Sequence, residues 1–211
     1  MNKKIFFSCV IIILIIIISI FIKNNYKNQK TGNNINKSAD NIIQNILNIE
    51  SYKAKVKITI KSNKTTNTYE AIQKYHKQNN LYEQEITSPK QIAGTMFKYN
   101  GKNLELKNTK LNLNKIYKNY YYIGSNELGL NGFIEDYNNT NKINSFEEEN
   151  KIIVEIEIKN NNKYKAIKKL QIDKKTGLPE KMEVQDVSNN TLVYILYKEI
   201  EINNLQKDEI N

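Results

Sequence analysis

Several residue types with distinctive chemistry are scarce or missing in this chain of 211 residues. It has one Cys, one His, no Trp and no Arg, so all 32 basic side chains are Lys. The single Cys9 cannot form an intramolecular disulfide, so an exported domain must be stabilised by core packing alone. His76, without a second His or a soluble Cys, gives no recognisable zinc ligand set. No glycine-rich phosphate loop or nucleophile elbow occurs, and we therefore expect neither an enzyme nor a cofactor.

The formal net charge of +10 is unevenly distributed along the chain. Residues 1–30 hold five Lys and no acid, residues 31–142 hold 16 Lys and 9 acids, and residues 143–211 hold 11 Lys and 13 acids. Lys beside a membrane segment attracts anionic lipid, whereas bidentate recognition of bases and phosphates relies on Arg. We therefore expect no nucleic-acid partner.

One long apolar run, residues 5–22, is interrupted only by Ser8 and Ser19. A helix of this length, at about 1.5 Å per residue, reaches about 27 Å and can span a bilayer core. No small-residue cleavage site follows the run, and Cys9 lies too early in it to be a lipid-modified cysteine. The pattern predicts an uncleaved transmembrane anchor after a short tail, residues 1–4.

The orientation of this anchor does not follow from charge, because Lys residues flank it about equally on both sides. A short amino-terminal tail followed by a long domain is the usual arrangement for export. We therefore expect a single-pass membrane protein whose domain lies on the extracytoplasmic side. Residues 23–37 are polar and predict a flexible linker.

Two helices are predicted in the domain that follows. The first begins at Ser38, which can cap the free N–H groups, and ends near Glu50. The second begins at Ser125 and has one apolar face. The apolar residues that define the two helices are Ile42, Ile43, Ile46 and Leu47 in the first and Leu130, Phe133, Ile134 and Tyr137 in the second.

Elsewhere the apolar residues recur with a period of two, which is typical of strands with one buried and one solvated face. Six such segments precede the second helix and four follow it, the latter starting at Ile152. Asn100-Gly101 predicts a tight hairpin. The fold class is therefore α+β: a curled antiparallel sheet with helices against one face, over residues 38–204, followed by a polar tail, residues 205–211.

Two surface features are candidates for interaction. One is a stripe of Lys on one face of the first strand, either a solvated face that discourages sheet-edge aggregation or a contact for an anionic surface. The other is a Tyr-rich stretch before the second helix, where adjacent side chains cannot all face inward, so at least one is an interface candidate. The Lys stripe is Lys53, Lys55, Lys57 and Lys61, and the Tyr stretch is Tyr117, Tyr120, Tyr121 and Tyr122. The run Glu147-Glu148-Glu149 favours solvated surface over a catalytic site.

The segment Leu170–Val184 contains an Asp-x-x-Thr-Gly-x-Pro hairpin, Asp173–Pro179, which resembles the hairpin of LolA/LolB-like lipoprotein-carrier domains. The Ser-Pro break and Asn-Gly hairpin within Leu81–Gly101, and the helix at Glu127–Ile134, resemble the same domains. Together with the predicted anchor and the length of the chain, these motifs resemble the GerS group of spore germination lipoproteins. The resemblance covers residues 38–204. One departure is that the chain lacks the lipid-modified Cys of that group.

The resemblance implies an incomplete barrel with helices against its concave face. For function it implies a scaffold that supports a cell-wall amidase, an N-acetylmuramoyl-alanine amidase, in the spore cortex during spore formation and germination. Two alternatives stay open: a lipid or lipoprotein carrier, and a sensor domain for envelope stress. A homodimer is a further alternative for the assembly.

Overall fold

Two helices and eleven strands make up the part of the chain that the structure, a computed structural model, describes: residues 39–120, 128–162 and 164–205. The helices are α1 (Ala39–Leu47) and α2 (Leu130–Asn139). The strands before α2 are β1 (Ser51–Lys61), β2 (Thr66–His76), β3 (Leu81–Ser88), β4 (Met96–Tyr99), β5 (Leu104–Asn108) and β6 (Leu113–Tyr117). Those after it are β7 (Ile143–Glu148), β8 (Lys151–Asn162), β9 (Lys165–Asp173), β10 (Pro179–Gln185) and β11 (Thr191–Ile202).

The predicted tail 1–4, anchor 5–22 and linker 23–37 lie outside the described residues. Neither α1 nor α2, the helices within the described part of the chain, is long and apolar enough to cross a membrane.

All eleven strands form one antiparallel sheet in the order β6-β5-β4-β3-β2-β1-β11-β10-β9-β8-β7. Strands β1–β6 form one antiparallel meander and strands β7–β11 form a second. The two meanders are joined where β1 pairs with β11. Strands β6 and β7 lie at the two ends and do not pair with each other, so the sheet is curled but not closed. This confirms the predicted curled antiparallel sheet, and α2 lies on the connection that crosses from one end to the other.

The core lies on the concave face of this sheet. In β1 the alternation is clean, with Tyr52, Ala54, Val56 and Ile58 buried and the Lys residues between them exposed. Apolar side chains from α1, α2 and eight other strands join them in one cluster. Because the two helices add to the same cluster as the inward-facing strand residues, they cover the same face of the sheet.

Two hairpin turns depend on glycine. The predicted hairpin forms, but as a four-residue connection, 100–103, in which Gly101 has φ +81° and Asn100 has no positive φ. A Cβ at Gly101 would lie 2.8 Å from Asn80 Nδ2. Gly177 has φ +73°, and its N–H donates to the Asp173 carbonyl at 2.8 Å. The Thr176 N–H donates to Asp173 Oδ1 at 2.5 Å. These contacts give the Asp-x-x-Thr-Gly motif a physical role, the closing of the β9–β10 hairpin.

Two predictions on elements were wrong. The sequence pattern gave no strand between the second helix and Ile152, but β7 occupies Ile143–Glu148. Its six side chains are all exposed, so the alternation that reveals a half-buried strand is missing. The second helix begins at Leu130, with Gly129 as its extended N-cap residue. The predicted start, Ser125, lies outside the described residues.

Candidate binding surfaces

A buried phenol on the concave face fixes the start of α2. The Tyr52 hydroxyl donates to Asn131 Oδ1 at 3.1 Å and accepts from the Leu130 backbone N–H at 3.2 Å. It thereby satisfies one of the N–H groups that the first turn of a helix leaves free. Gly129 packs so closely that a Cβ there would lie 2.9 Å from Tyr82 Cε2 and 3.1 Å from the Tyr52 hydroxyl. The first turn of α2 is therefore held directly against β1.

A second polar group holds the residues just before α2. The Gln73 side-chain amide, fully buried on β2, donates to the Leu128 carbonyl at 2.8 Å and to Gln84 Oε1 at 2.9 Å. The Tyr82 hydroxyl donates to the same Gln84 oxygen at 3.0 Å. Because an unpaired buried polar group is costly, such a network favours one position of the attached segment.

A buried lysine joins α2 to the carboxyl-terminal half of the sheet. Lys168 on β9 is fully buried, and its Nζ donates to Asp136 Oδ2 at 2.5 Å and to the Gly132 carbonyl at 3.2 Å. Both acceptors belong to α2, so the helix is tied to β1 at its start and to β9 along its length. Pairing of this kind is what allows a charge to be buried.

An apolar cavity of about 410 Å³ opens on the concave face in the amino-terminal half of the sheet. Its lining comes from several strands and from the segment before α2, and includes Ile58, Ile86, Phe97, Leu106 and Leu128. A cavity of this size and lining can accept apolar groups of a ligand.

The Lys stripe lies on the convex face of β1, and all four of its members are exposed as predicted. Strand β1 is the sixth of eleven in the sheet, so the idea that these Lys residues protect a sheet edge is wrong. Lys55 pairs with Glu199 at 2.7 Å, and Lys61 lies 4.6 Å from the centre of the Tyr194 ring. Lys53 and Lys57 form no ion pair within the described part of the chain, although Lys57 lies opposite Glu70 on β2 and contributes to the lowered pKa of that carboxyl.

The Tyr stretch is only partly described. Tyr120 is half-buried and packs against the core, its N–H donates to the Lys102 carbonyl at 2.9 Å, and its ring lies 6.0 Å from that of Tyr117. Tyr117 is exposed, at the end of β6. Tyr121 and Tyr122 lie outside the described residues, so their role as an interface stays a prediction.

No group of three or more His, Cys, Asp or Glu within the described ranges could hold a metal ion. The exposed run Glu147–Glu149 forms the end of β7 and the turn that follows it. Glu147 pairs with Lys174. His76 pairs across the sheet with Ser51 and Leu81.

Sequence reasoning missed the residues that position α2. Lys168 was assigned to a strand, but a Lys is rarely buried. The period of two nevertheless puts it on the same face as Ala166, Leu170 and Ile172, which are buried. This position on the apolar face could have predicted the burial of Lys168. In the same way Gln73 lies on the same face of β2 as the buried Ala71.

The fold and these surfaces define a class of protein. Its members have a single open, curled antiparallel sheet with an apolar concave face, and a helix is bound to that face by buried hydrogen bonds. The particular family follows from the sequence. The family model described as "Sporulation protein YdcC-like" matches residues 3–210, and the chain belongs to that family. The assignment to the GerS group is not shown at this level and stays a prediction.

Solved structures add a likeness of fold. A chain of the structure of the CwlD amidase from Clostridioides difficile in complex with the GerS lipoprotein is 25% identical, with a TM-score of 0.51. The match covers 80% of this chain and 96% of that chain. An uncharacterized conserved protein from Thermus thermophilus is 14% identical, with a TM-score of 0.50, over 82% of this chain and 92% of its own; that match concerns the fold alone.

LolA-like structures are also matched, at lower scores. The LolA superfamily protein NE2245 from Nitrosomonas europaea is 14% identical, with a TM-score of 0.41, over 82% of this chain and 97% of its own. At that score the likeness carries no weight for function. No curated protein matches the chain.

Proposed function

We propose that this chain is a non-enzymatic scaffold that binds and supports a cell-wall amidase during spore formation and germination. The observation that carries the proposal is the match to a chain of the CwlD amidase–GerS lipoprotein complex, at 25% identity over 96% of that chain. The resemblance of Asp173–Pro179 to the hairpin of LolA/LolB-like lipoprotein-carrier domains points to the lipoprotein as the relevant half of that complex. Membership of a sporulation family supports the cellular setting.

The chemistry of the described residues supports a binding role over catalysis. The buried Tyr52 and Lys168 side chains bond to α2, and the buried Gln73 amide donates to Gln84 and to the Leu128 carbonyl just before α2. They are thus used to fix one structure and are not directed at a reacting group. A scaffold needs such a fixed surface, because a rigid partner loses little conformational entropy on binding.

The proposal includes a membrane tether formed by residues 5–22, with the domain on the extracytoplasmic side. The apolar length of this run and the Lys residues on both of its sides support it. A tether of this kind would do for this chain what a lipid-modified Cys does for a lipoprotein: it keeps the scaffold and its amidase near the membrane. In cell fractionation the chain should stay with membranes in high salt and be released by detergent.

Co-purification tests the scaffold. The full chain, tagged at its carboxyl terminus, is solubilised in detergent from sporulating cells, and the bound proteins are identified by mass spectrometry. We expect an N-acetylmuramoyl-alanine amidase in amounts comparable with the chain. Equal recovery of the amidase with an unrelated single-pass protein, tagged in the same way, would contradict the proposal.

A carrier of lipid or lipoprotein is the second candidate, because the concave cavity of about 410 Å³ is lined by apolar side chains. The same purification distinguishes the two, since a carrier would bring stoichiometric acyl chains or lipoproteins and no amidase. A fluorescent acyl probe that the purified chain takes up, and that Ile86→Trp displaces by filling the cavity, would favour the carrier.

A further inference from the structure

The two end strands of the sheet, β6 and β7, are exposed edges. The side chains of β7 are all exposed, and so are four of the five on β6. Large apolar groups are among them, with Ile116 57% and Phe146 41% exposed. No strand of the described residues pairs with the outer side of either one. An edge of this kind presents unpaired N–H and C=O groups to which another strand can add.

The two edges carry opposite charge. Residues 107–118, which include β6, hold four Lys and no acid, whereas residues 143–150, which include β7, hold three Glu and no Lys. Lys118 and Glu148 have no ion-pair partner within the described part of the chain. Charges on an edge strand usually oppose association. Here the charges oppose only the pairing of β6 with β6, or of β7 with β7, of a second copy. The basic β6 edge and the acidic β7 edge attract each other.

Strand direction decides the geometry of such pairing. The sheet has eleven strands and every neighbouring pair is antiparallel, so β6 and β7, the first and the last, run in the same direction. If two copies kept their concave faces on one side, β6 beside β6 or β7 beside β7 would be antiparallel and two-fold. β6 of one copy beside β7 of another would be parallel. The two-fold arrangements place Lys against Lys or Glu against Glu, which is destabilising.

One parallel register matches the exposed side chains of the two strands. Leu113 and Ile143 lie on the concave face, since their neighbours across the sheet are Asn108 and the buried Ile156. Ile116 and Phe146 lie on the convex face.

In the register that puts Ile116 beside Phe146, Leu113 comes beside Ile143 and Lys118 beside Glu148. Apolar groups then meet on both faces, and an ion pair follows at the end of the strands.

We propose that β6 is the docking site for β7 of a second copy of this chain, in parallel and in this register. The contact is heterologous, so a pair of copies keeps one free β6 edge and one free β7 edge, and the assembly grows head to tail into a ring or a chain. It needs no amidase and so goes beyond the proposed scaffold function. The symmetric homodimer that the sequence left open is a different arrangement.

Disulfide trapping tests the contact in the full chain. The cysteine variants are made in a Cys9→Ser background, in detergent, with Ile116→Cys and Phe146→Cys on separate molecules. We expect oxidation to give a cross-linked dimer in the mixture and much less with either variant alone. Lys64→Cys, at an exposed turn, mixed with Phe146→Cys is the matched control and should cross-link at the background level.

Charge exchange tests the register. Lys118→Glu on the Ile116→Cys molecule should lower the yield of mixed dimer about fivefold, and Glu148→Lys on the Phe146→Cys molecule should restore it. Cross-linking of Phe146→Cys alone to the same extent as the mixture would overturn the proposal in favour of a two-fold contact. A yield no higher than that of the Lys64→Cys control would overturn it in favour of a monomer. Either result leaves the amidase proposal untouched.

Discussion

Tyr52 and Tyr197 both bury a phenol in the core, but their hydroxyl groups are in opposite situations. Tyr52 bonds to Leu130 and Asn131 in α2. The Tyr197 hydroxyl has no hydrogen-bond partner among the described residues, and burial raises the pKa of this phenol. A buried hydroxyl without a partner costs stability, whereas a bonded one leaves its partner unsatisfied when it is removed.

The two Tyr→Phe variants should therefore differ in their effect on the free energy of unfolding. We expect Tyr52→Phe to lower the free energy of unfolding by about 2 kcal/mol, because the buried Leu130 N–H loses its acceptor. Tyr197→Phe should leave the free energy of unfolding unchanged or raise it by about 1 kcal/mol. Urea unfolding followed by circular dichroism measures both. Equal losses in the two variants would contradict this account of the core.

The pair Lys168–Asp136 gives a second test at the residue scale. Asp136→Asn leaves a fully buried ammonium without its carboxylate, and we expect a loss of about 3 kcal/mol in the free energy of unfolding. Lys168→Met combined with Asp136→Asn should recover much of this loss, because a buried pair can often be replaced by apolar groups. If the losses of the two single variants simply added in the double variant, the two groups would not be coupled.

At the scale of the element, the β9–β10 hairpin depends on an ionised carboxylate. The N–H of Thr176 donates to Asp173 and is the main cause that holds the pKa of this carboxyl below its usual range. Since the folded pKa is lower than the unfolded value of about 3.9, the carboxylate stabilises the fold above that pH. This contribution is lost as the pH falls through the folded pKa.

Asp173→Asn should therefore destabilise the protein at neutral pH but not in acid. The expected loss in the free energy of unfolding at pH 7 is below about 1 kcal/mol, because solvent screens the exposed carboxylate. Urea unfolding of the variant and the natural chain between pH 7 and pH 2 measures it. A difference that stays constant over this range would show that the charge has no part in closing the turn.

How far the elements could be predicted depended on whether each buries one face. The alternation from Tyr52 to Ile60 predicted β1 because every second side chain enters the core. Asn100-Gly101 predicted the position of the β4–β5 hairpin, although only Gly101 has the positive φ that the pattern requires of both residues. Strand β7 has no buried face and depends on its pairing with β8, so no local pattern marks it.

The candidate surfaces were predictable only in part. Exposure of the Lys stripe followed from alternation, but its place in the middle of the sheet depends on the pairing of β1 with β11, far apart in sequence. The burial of Lys168 depends in the same way on α2 reaching β9. Long-range pairing of this kind decides which other elements pack against a given face of a strand. The local sequence of one strand does not predict that pairing.

At the scale of the whole molecule, we expect the exposed Lys stripe to contact an acidic surface of the proposed amidase partner. Lys53→Glu with Lys57→Glu should weaken amidase binding about tenfold, because these two side chains carry no ion pair within the described part of the chain. Lys64→Glu, an equally exposed reversal at the β1–β2 turn, is the matched control. Equal affinity for all three proteins would place the amidase on another surface.

Direct binding between the purified full chain in detergent and the purified amidase of the same cells tests the scaffold most directly. Isothermal titration should give a saturable signal with about one chain per amidase and a Kd in the micromolar range or tighter. The absence of heat and of a shifted complex in gel filtration, with both proteins folded by circular dichroism, would contradict the scaffold and leave the apolar cavity as the better guide to function.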